Sequence, residues 1–206
     1  MVLLDRIYRA LERLSLIAAW LGGLSMLLAA IMIVIEVVGR KIGGLELFGV
    51  AIPSFRVPGS DEYAGYVFAG ATAWAYAYCL IHRSHIRIDA LYNLFPAKIR
   101  AVLDVIGLAL LGFYVTILTE RAWVVLLGSL EKGSKAATPQ QTPLWFPQTV
   151  WVTGLTFFTI VTLFVCLYAL VCLVTGRSGQ VQRIAGTMSV QEEVESETKG
   201  VLEMKK

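Results

Sequence analysis

Four long runs without a charged residue constrain the fold of this chain more than any other feature. They cover residues 14–35, 63–81, 105–119 and 148–175, which are 22, 19, 15 and 28 residues long. A helix rises 1.5 Å per residue, so about 20 apolar residues cross a hydrocarbon core about 30 Å thick. With 57% hydrophobic residues and a mean hydropathy of +0.68, the chain is too apolar for an ordinary soluble domain. We therefore predict an all-α integral membrane protein with four transmembrane helices.

The transmembrane domain is predicted over residues 14–175, with spans at about 14–38, 61–81, 97–127 and 148–175. Two amphipathic segments, residues 1–13 and 88–95, are predicted to form short helices at the lipid headgroups. As an alternative, the first of these segments simply extends the first span. Residues 176–206 are polar and rich in glutamate, and no apolar face is evident in them. This composition predicts a disordered tail.

The distribution of Lys and Arg predicts the orientation. Nine of these residues lie near the span ends on the side of the N-terminus, and five lie on the other side. Because basic residues concentrate in cytoplasmic loops, both termini are predicted to be cytoplasmic.

Few residues suggest catalysis, a cofactor or a nucleic-acid partner. The net charge is only +3, and no basic stripe with interleaved aromatic residues is present. Phosphate loops and nucleophile–base pairs are absent, and the three cysteines lie in apolar spans without CxxC spacing. His82 and His85 have no further ligand residue nearby, so a hydrogen bond from His85 to Asp89 is the expected use. We predict that the chain is not an enzyme and binds no metal or other cofactor.

The second span carries a seam of small residues. Its first turn contains Asp61 and Glu62, where carboxylates complement the positive end of a helix dipole. Four small residues then recur at every fourth position: Gly65, Ala69, Ala73 and Ala77. We call these four residues the small-residue seam. Small residues on one face let another helix approach closely in lipid. The seam either packs within this chain or contacts a second protein.

Charged residues at the span ends suggest further contacts. Arg40 follows the first span and Glu62 begins the second, so we predict an Arg40–Glu62 salt bridge that fixes how these two helices splay. As an alternative, both residues are hydrated helix ends. Asp104 and Glu120 lie near the two ends of the third span, and we expect each to have a structural partner.

These features together resemble a known family. The Asp61–Glu62 pair, the small-residue seam and the exit sequence His85-Ile86-Arg87-Ile88-Asp89 are similar to the small membrane subunit of TRAP transporters, the tripartite ATP-independent periplasmic transporters. The resemblance extends back to Arg40 and forward past Pro96, and it covers most of residues 14–175. It implies a small permease subunit with four helices in the bacterial or archaeal cytoplasmic (inner) membrane.

The resemblance also implies partners and a role. A large membrane subunit binds and moves the substrate and the cation, and a periplasmic substrate-binding protein delivers the substrate. The small subunit enlarges the fixed scaffold and helps the binding protein to dock. The transported substrate would be an organic acid, for example a dicarboxylate, taken up with a cation. Membrane lipid is the remaining expected partner, and no residue of this chain is assigned to the substrate.

A rival hypothesis is a redox membrane anchor that holds haem or quinone between four helices. Haem ligation needs His or Met inside facing helices. Both histidines lie at a helix end.

Overall fold

The computed structural model describes residues 2–43, 46–47, 50–51, 58–84, 95–186 and 198. Within these residues the helices are α1 (Val2–Ile42), α2 (Ser60–Ile81), α3 (Ala97–Lys132), α4 (Trp145–Val174) and α5 (Ser178–Ala185). Strands β1 (Glu46–Leu47) and β2 (Val50–Ala51) pair in antiparallel register. Among the described residues, the four helices α1 to α4 are long and apolar enough to cross a membrane. The predicted fold class is therefore confirmed, with one short hairpin that was not predicted.

The helices extend beyond the predicted spans where charged residues flank them. Helix α1 continues without interruption from the amphipathic N-terminal segment into the first apolar run. The structure therefore contains the extended first helix, and a headgroup location for its first turns stays a prediction. The second predicted amphipathic segment falls almost entirely within residues 85–94, which lie outside the described residues.

Helices α2, α3 and α4 end in the same type of cap. A residue one or two positions after the helix end is left-handed in each case: φ is +54° at Arg83, +60° at Gly133 and +73° at Gly176. The amide of the following residue then donates to the carbonyl five residues back, at 3.0, 3.0 and 2.9 Å. This is the Schellman arrangement, which satisfies carbonyls that would otherwise lack donors. Arginine is an unusual choice for this position, because a Cβ disfavours positive φ.

The described chain divides into two compact units. The first contains Met1–Tyr78 and Tyr114–Val161, and the second contains Cys79–Phe113 and Thr162–Lys206. In the first unit, α2, α3 and α4 contribute a buried apolar cluster of Ala73, Ala122, Leu126, Val152 and Leu155. In the second unit, the interior includes Ala101, Leu108, Val165, Ala169 and Cys172.

Helix α5 corrects the prediction for the C-terminal segment. Residues 178–185 were predicted to be disordered for lack of an apolar face, but they form a helix. Val181 and Ala185, one turn apart, are both buried. The Arg83 guanidinium, also in the second unit, donates to the Gln182 carbonyl at 3.1 Å. The prediction was wrong here because an average over a polar segment hides two apolar residues at helical spacing.

Candidate functional site

The first turn of α2 holds a carboxylate that accepts a hydrogen bond from a hydroxyl group on each of its oxygens. Tyr66 lies one turn after Glu62 and donates its hydroxyl to Glu62 Oε1 at 2.6 Å. The hydroxyl of Thr138, 76 residues further along the chain, donates to Glu62 Oε2. Hydrogen bonds to an ionised acceptor are about twice as strong as neutral ones. Glu62 therefore joins its own helix to a distant loop.

That loop, residues 133–144, closes on itself, and we call it the hairpin loop. The Ala136 amide donates to the Thr142 carbonyl at 2.9 Å, and the Leu144 amide donates to the Ser134 carbonyl at 3.0 Å. The loop also lies against the residue that precedes α2, since a Cβ at Gly59 would lie 2.7 Å from Gln140 Cγ. The hairpin loop thus contacts the start of α2 at two residues, through a hydrogen bond at Glu62 and close packing at Gly59.

The predicted Arg40–Glu62 bridge is not formed. Arg40 Nη2 instead lies 4.0 Å from Glu36 Oε1, one turn earlier on α1. A carboxylate one turn away on the same helix is always within reach, whereas Glu62 already has two hydroxyl donors. The Arg40 side chain is 47% exposed, so its pair with Glu36 adds little to stability. Asp61, beside Glu62, is exposed.

The small-residue seam divides into two parts. Ala73 and Ala77 are completely buried, and Ala69 is half-buried. Gly65 is exposed, and outside its own helical turn no atom of the described residues lies within 4 Å of the position that its Cβ would occupy. The inner part of the seam therefore packs within the chain, while its first residue presents an open surface.

The close partner of the seam is a glycine that sequence reasoning did not select. A Cβ at Gly154 on α4 would lie 2.9 Å from Ala73 Cβ and 2.8 Å from Trp74 Cδ1. Val150 lies one turn before Gly154 on α4. A Cβ at Gly70 of α2 would lie 2.9 Å from Val150 Cγ1. A side chain at either glycine would force neighbouring atoms to shift, and most of all at Gly154, where the Ala73 backbone also lies close. An isolated glycine inside a long apolar run was the available signal.

Polar side chains reinforce the same helix contacts. Trp74 Nε1 donates to the Val150 carbonyl at 3.1 Å, and its ring stacks on Phe157 with the centroids 5.6 Å apart. Between α3 and α4, the buried hydroxyls of Thr119 and Thr159 are 2.7 Å apart. Trp123 Nε1 donates to Thr156 Oγ1 at 3.1 Å. In lipid, hydrogen bonds between helices hold them together where burial of apolar surface gives no advantage.

The remaining predicted residues have mixed outcomes. His85 and Asp89 lie outside the described residues, so their hydrogen bond stays a prediction. Asp104 is buried, whereas Glu120 is exposed and has no ion pair within 4.0 Å among the residues described. Within the same part of the chain, no group of three or more His, Cys, Asp or Glu side chains is placed to hold a metal ion.

Comparison with known proteins identifies the family. Residues 29–176 match the family described as "Tripartite ATP-independent periplasmic transporters, DctQ component". No curated protein matches the chain, and no solved structure matches it either. The matched residues include the end of α1 and all of α2, α3 and α4. The match gives no support to the redox-anchor alternative.

The match covers more than two thirds of the chain, and the four long helices suit a membrane. Together they identify the family of this chain. This family supplies the small permease subunit of tripartite complexes that also contain a large permease and a binding protein. The chain belongs to the DctQ component family and is the small membrane subunit of a TRAP transporter.

Proposed function

We propose that this subunit is a fixed scaffold that supports the large permease and helps a periplasmic binding protein to dock. In this proposal the large permease moves an organic acid, for example a dicarboxylate, together with a cation. The complex lies in the cytoplasmic (inner) membrane of a bacterium or archaeon, with both termini of this subunit in the cytoplasm.

The observation that carries the scaffold role is the sparse coverage of α1. Only 11% of its most apolar 18-residue stretch is buried, against 44% for α4. Because the interior of this subunit covers so little of α1, most of this helix is free to contact a second membrane protein. The surplus surface suits contact with a larger membrane protein, and the open position at Gly65 on α2 adds to it.

The hairpin loop supports the docking role. With cytoplasmic termini, the start of α2 and the hairpin loop both lie at the periplasmic surface. Docking needs a surface that keeps its shape, because ordering a mobile loop on binding costs affinity. Glu62 supplies this order through Thr138. Asp61, next to Glu62 in the sequence, and Lys135, in the hairpin loop, are both exposed. We propose that these two charged residues face the binding protein.

Reconstitution tests the scaffold role. Liposomes should contain the large permease with or without this subunit, and the binding protein, the organic acid and a sodium gradient should be supplied outside. We expect uptake only when both membrane subunits are present. Uptake by this subunit alone, or unchanged uptake without it, would contradict the proposal.

Charge reversal tests the docking surface. Asp61→Lys and Lys135→Glu should weaken binding of the binding protein to the reconstituted complex, because rim charges control association. Lys98→Glu, an exposed charge reversal at the start of α3, is the matched control. Equal effects of all three variants would mean that Asp61 and Lys135 have no specific part in docking. That result would not affect the proposed scaffold role.

A further inference from the structure

An open groove runs along α1 in the first unit. It has a volume of about 500 Å³ and lies among α1, α2 and α4. Along α1 it is lined by six residues: Leu14, Ile17, Ala18, Leu21, Gly22 and Ser25. Opposite them lie Gly70, Ala71 and Trp74 of α2, and Val150 and Phe157 of α4. We call this feature the α1 groove.

The groove exists because small residues form its floor and aromatic residues form its wall. At Gly22, α1 approaches α2 so closely that a Cβ would lie 3.0 Å from the Ala71 carbonyl oxygen. Ala18 continues this narrow strip one turn toward the N-terminus. Trp74 and Phe157, stacked on one another, form the opposite wall. Small side chains at the floor leave the space between these elements unfilled.

The chemistry of the lining excludes water and polar ligands. Ser25 and Trp74 carry the polar side-chain groups among the lining residues, and both groups are already bonded. The Ser25 hydroxyl donates to the Gly22 carbonyl at 2.7 Å, and Trp74 Nε1 donates to the Val150 carbonyl at 3.1 Å. A bound water needs about three polar partners, which this surface does not offer. An empty groove would forfeit the dispersion contacts of its lining. The groove therefore suits a flexible hydrocarbon chain.

The dimensions and charge of the groove point to one phospholipid. At 1.5 Å per residue, Leu14 and Ser25 are about 16 Å apart along α1, which is half of a hydrocarbon core about 30 Å thick. The groove thus has the depth of one leaflet. Its outer end adjoins Arg13, which is exposed, immediately precedes Leu14 and lies one turn before Ile17. Guanidinium groups bind phosphate with paired hydrogen bonds.

We propose that the α1 groove binds one phospholipid from the leaflet nearest the N-terminus, with an acyl chain along Ala18 to Ser25 and the phosphate at Arg13. The lipid completes the packing of α1 against α2 and α4. This site is independent of the substrate and of the transport cycle proposed above.

Native mass spectrometry of the full-length chain in mild detergent tests the groove. We expect one retained phospholipid per chain in the unmodified protein. Ala18→Phe should fill the middle of the groove and remove the lipid, and Ser25→Phe should do so from its deep end. Leu24→Phe adds the same ring beside Ser25 but on the exposed surface outside the lining, so it should retain the lipid. Helical content measured by circular dichroism establishes that each variant is folded.

Titration of the delipidated chain with dioleoyl phosphatidylglycerol tests the phosphate contact. Arg13→Gln should weaken binding about fivefold, the effect expected of one basic residue at an anionic membrane surface. Lys132→Gln makes the same charge change at the far end of α3 and should leave binding unchanged.

Three results with the isolated chain would overturn the proposal. They are the absence of retained lipid in the unmodified chain, equal retention by Ala18→Phe, Ser25→Phe and Leu24→Phe, and equal affinities of Arg13→Gln and Lys132→Gln. Loss of the lipid when the large permease binds would also overturn it, because a helix of that subunit would then fill the groove.

Discussion

Helices α1 and α4 both pack against α2 in the first unit, but they do so in different ways. At the α4 contact, Gly154 and Gly70 bring the backbones together, and Trp74 adds a hydrogen bond to the Val150 carbonyl. At the α1 contact, Gly22 approaches Ala71, and the flanking surface opens into the α1 groove. The same device, a small residue at a crossing point, thus gives a tight contact in one place and an open one in the other.

The difference teaches that close approach alone does not make a packed interface in lipid. The α4 contact combines small residues with bulky neighbours that fill the space around them and with polar groups that bond across it. The α1 contact has the small residues, but most of the neighbouring apolar side chains are exposed. Exposed apolar surface costs nothing in hydrocarbon, so α1 can remain open to partners while α4 holds the subunit together.

The largest expected effect comes from breaking the tight contact. Gly154→Leu would place a side chain where Ala73 and Trp74 already lie, and should lower the free energy of unfolding by about 3 kcal/mol. Gly107→Leu on α3 is the control, because Gly107 is exposed and its Cβ position has no atom within 4 Å from the rest of the described chain beyond its own helical turn. Unfolding of the purified chain in detergent, followed by circular dichroism, measures both. Equal losses in the two variants would mean that the substitution acts through the helix itself.

A second prediction concerns how firmly α2 holds the hairpin loop. Glu62→Ala and Thr138→Ala should each destabilise the loop, and a double-mutant cycle should give a coupling of about 2 kcal/mol, as for a hydrogen bond to a charged group. Hydrogen exchange of the amides of residues 133–144 should accelerate in each variant. Asp61→Ala, which removes the neighbouring exposed carboxylate, should leave exchange unchanged. Additive effects of the two variants would show that the residues act separately.

A smaller effect is expected from the hydroxyl pair between α3 and α4. Thr119→Val and Thr159→Val keep the shape of the side chains and remove the bond, so a double-mutant cycle should give a coupling of about 0.6 kcal/mol. The matched control is Thr153→Val, since the Thr153 hydroxyl bonds only to carbonyls of its own helix. Chemical unfolding in detergent is precise enough if all variants are measured in one series. A coupling indistinguishable from zero would mean that this hydroxyl pair does not stabilise the contact between α3 and α4.

The smallest effect on the chain itself is expected at the open end of the seam. Gly65→Leu meets no atom within 4 Å, so the free energy of unfolding should change by less than about 0.5 kcal/mol. If this surface holds the large permease, the variant should nevertheless lose that subunit on purification. Ala69→Leu, one turn further along, should act in the same direction. Unchanged recovery of the large permease with both variants would assign this surface to lipid.

Much of the fold was predictable because the lengths of apolar runs report directly on membrane helices. Helix α2 begins within one residue of its predicted start, and α3 and α4 lie close to their predicted ranges. Contacts between helices were harder to predict from the sequence. Ala73 was selected by its spacing, but its partner Gly154 stands alone in its own helix, and periodicity within one helix does not give the register between two.

Glu62 illustrates a second reason for failure. Arg40 was chosen as its partner because the two residues lie at neighbouring ends of consecutive spans. The actual donors are Tyr66, one turn away, and Thr138, from a loop two spans later. A carboxylate near lipid must be satisfied, but hydroxyl groups can do this as well as a cation. A prediction that considers only opposite charges therefore overlooks hydroxyl partners such as these.

The length of α1 has a mechanical consequence. Its 41 residues extend about 62 Å, about twice the thickness of a hydrocarbon core. Even at a tilt of about 40°, the core accommodates only about 26 residues, so about 15 must overhang it. The charged residues at the two ends of α1, outside residues 14–35, mark where these overhangs lie. A protein that binds either overhang outside the hydrocarbon core can therefore tilt or shift the whole of α1, because the same rigid helix continues through the membrane.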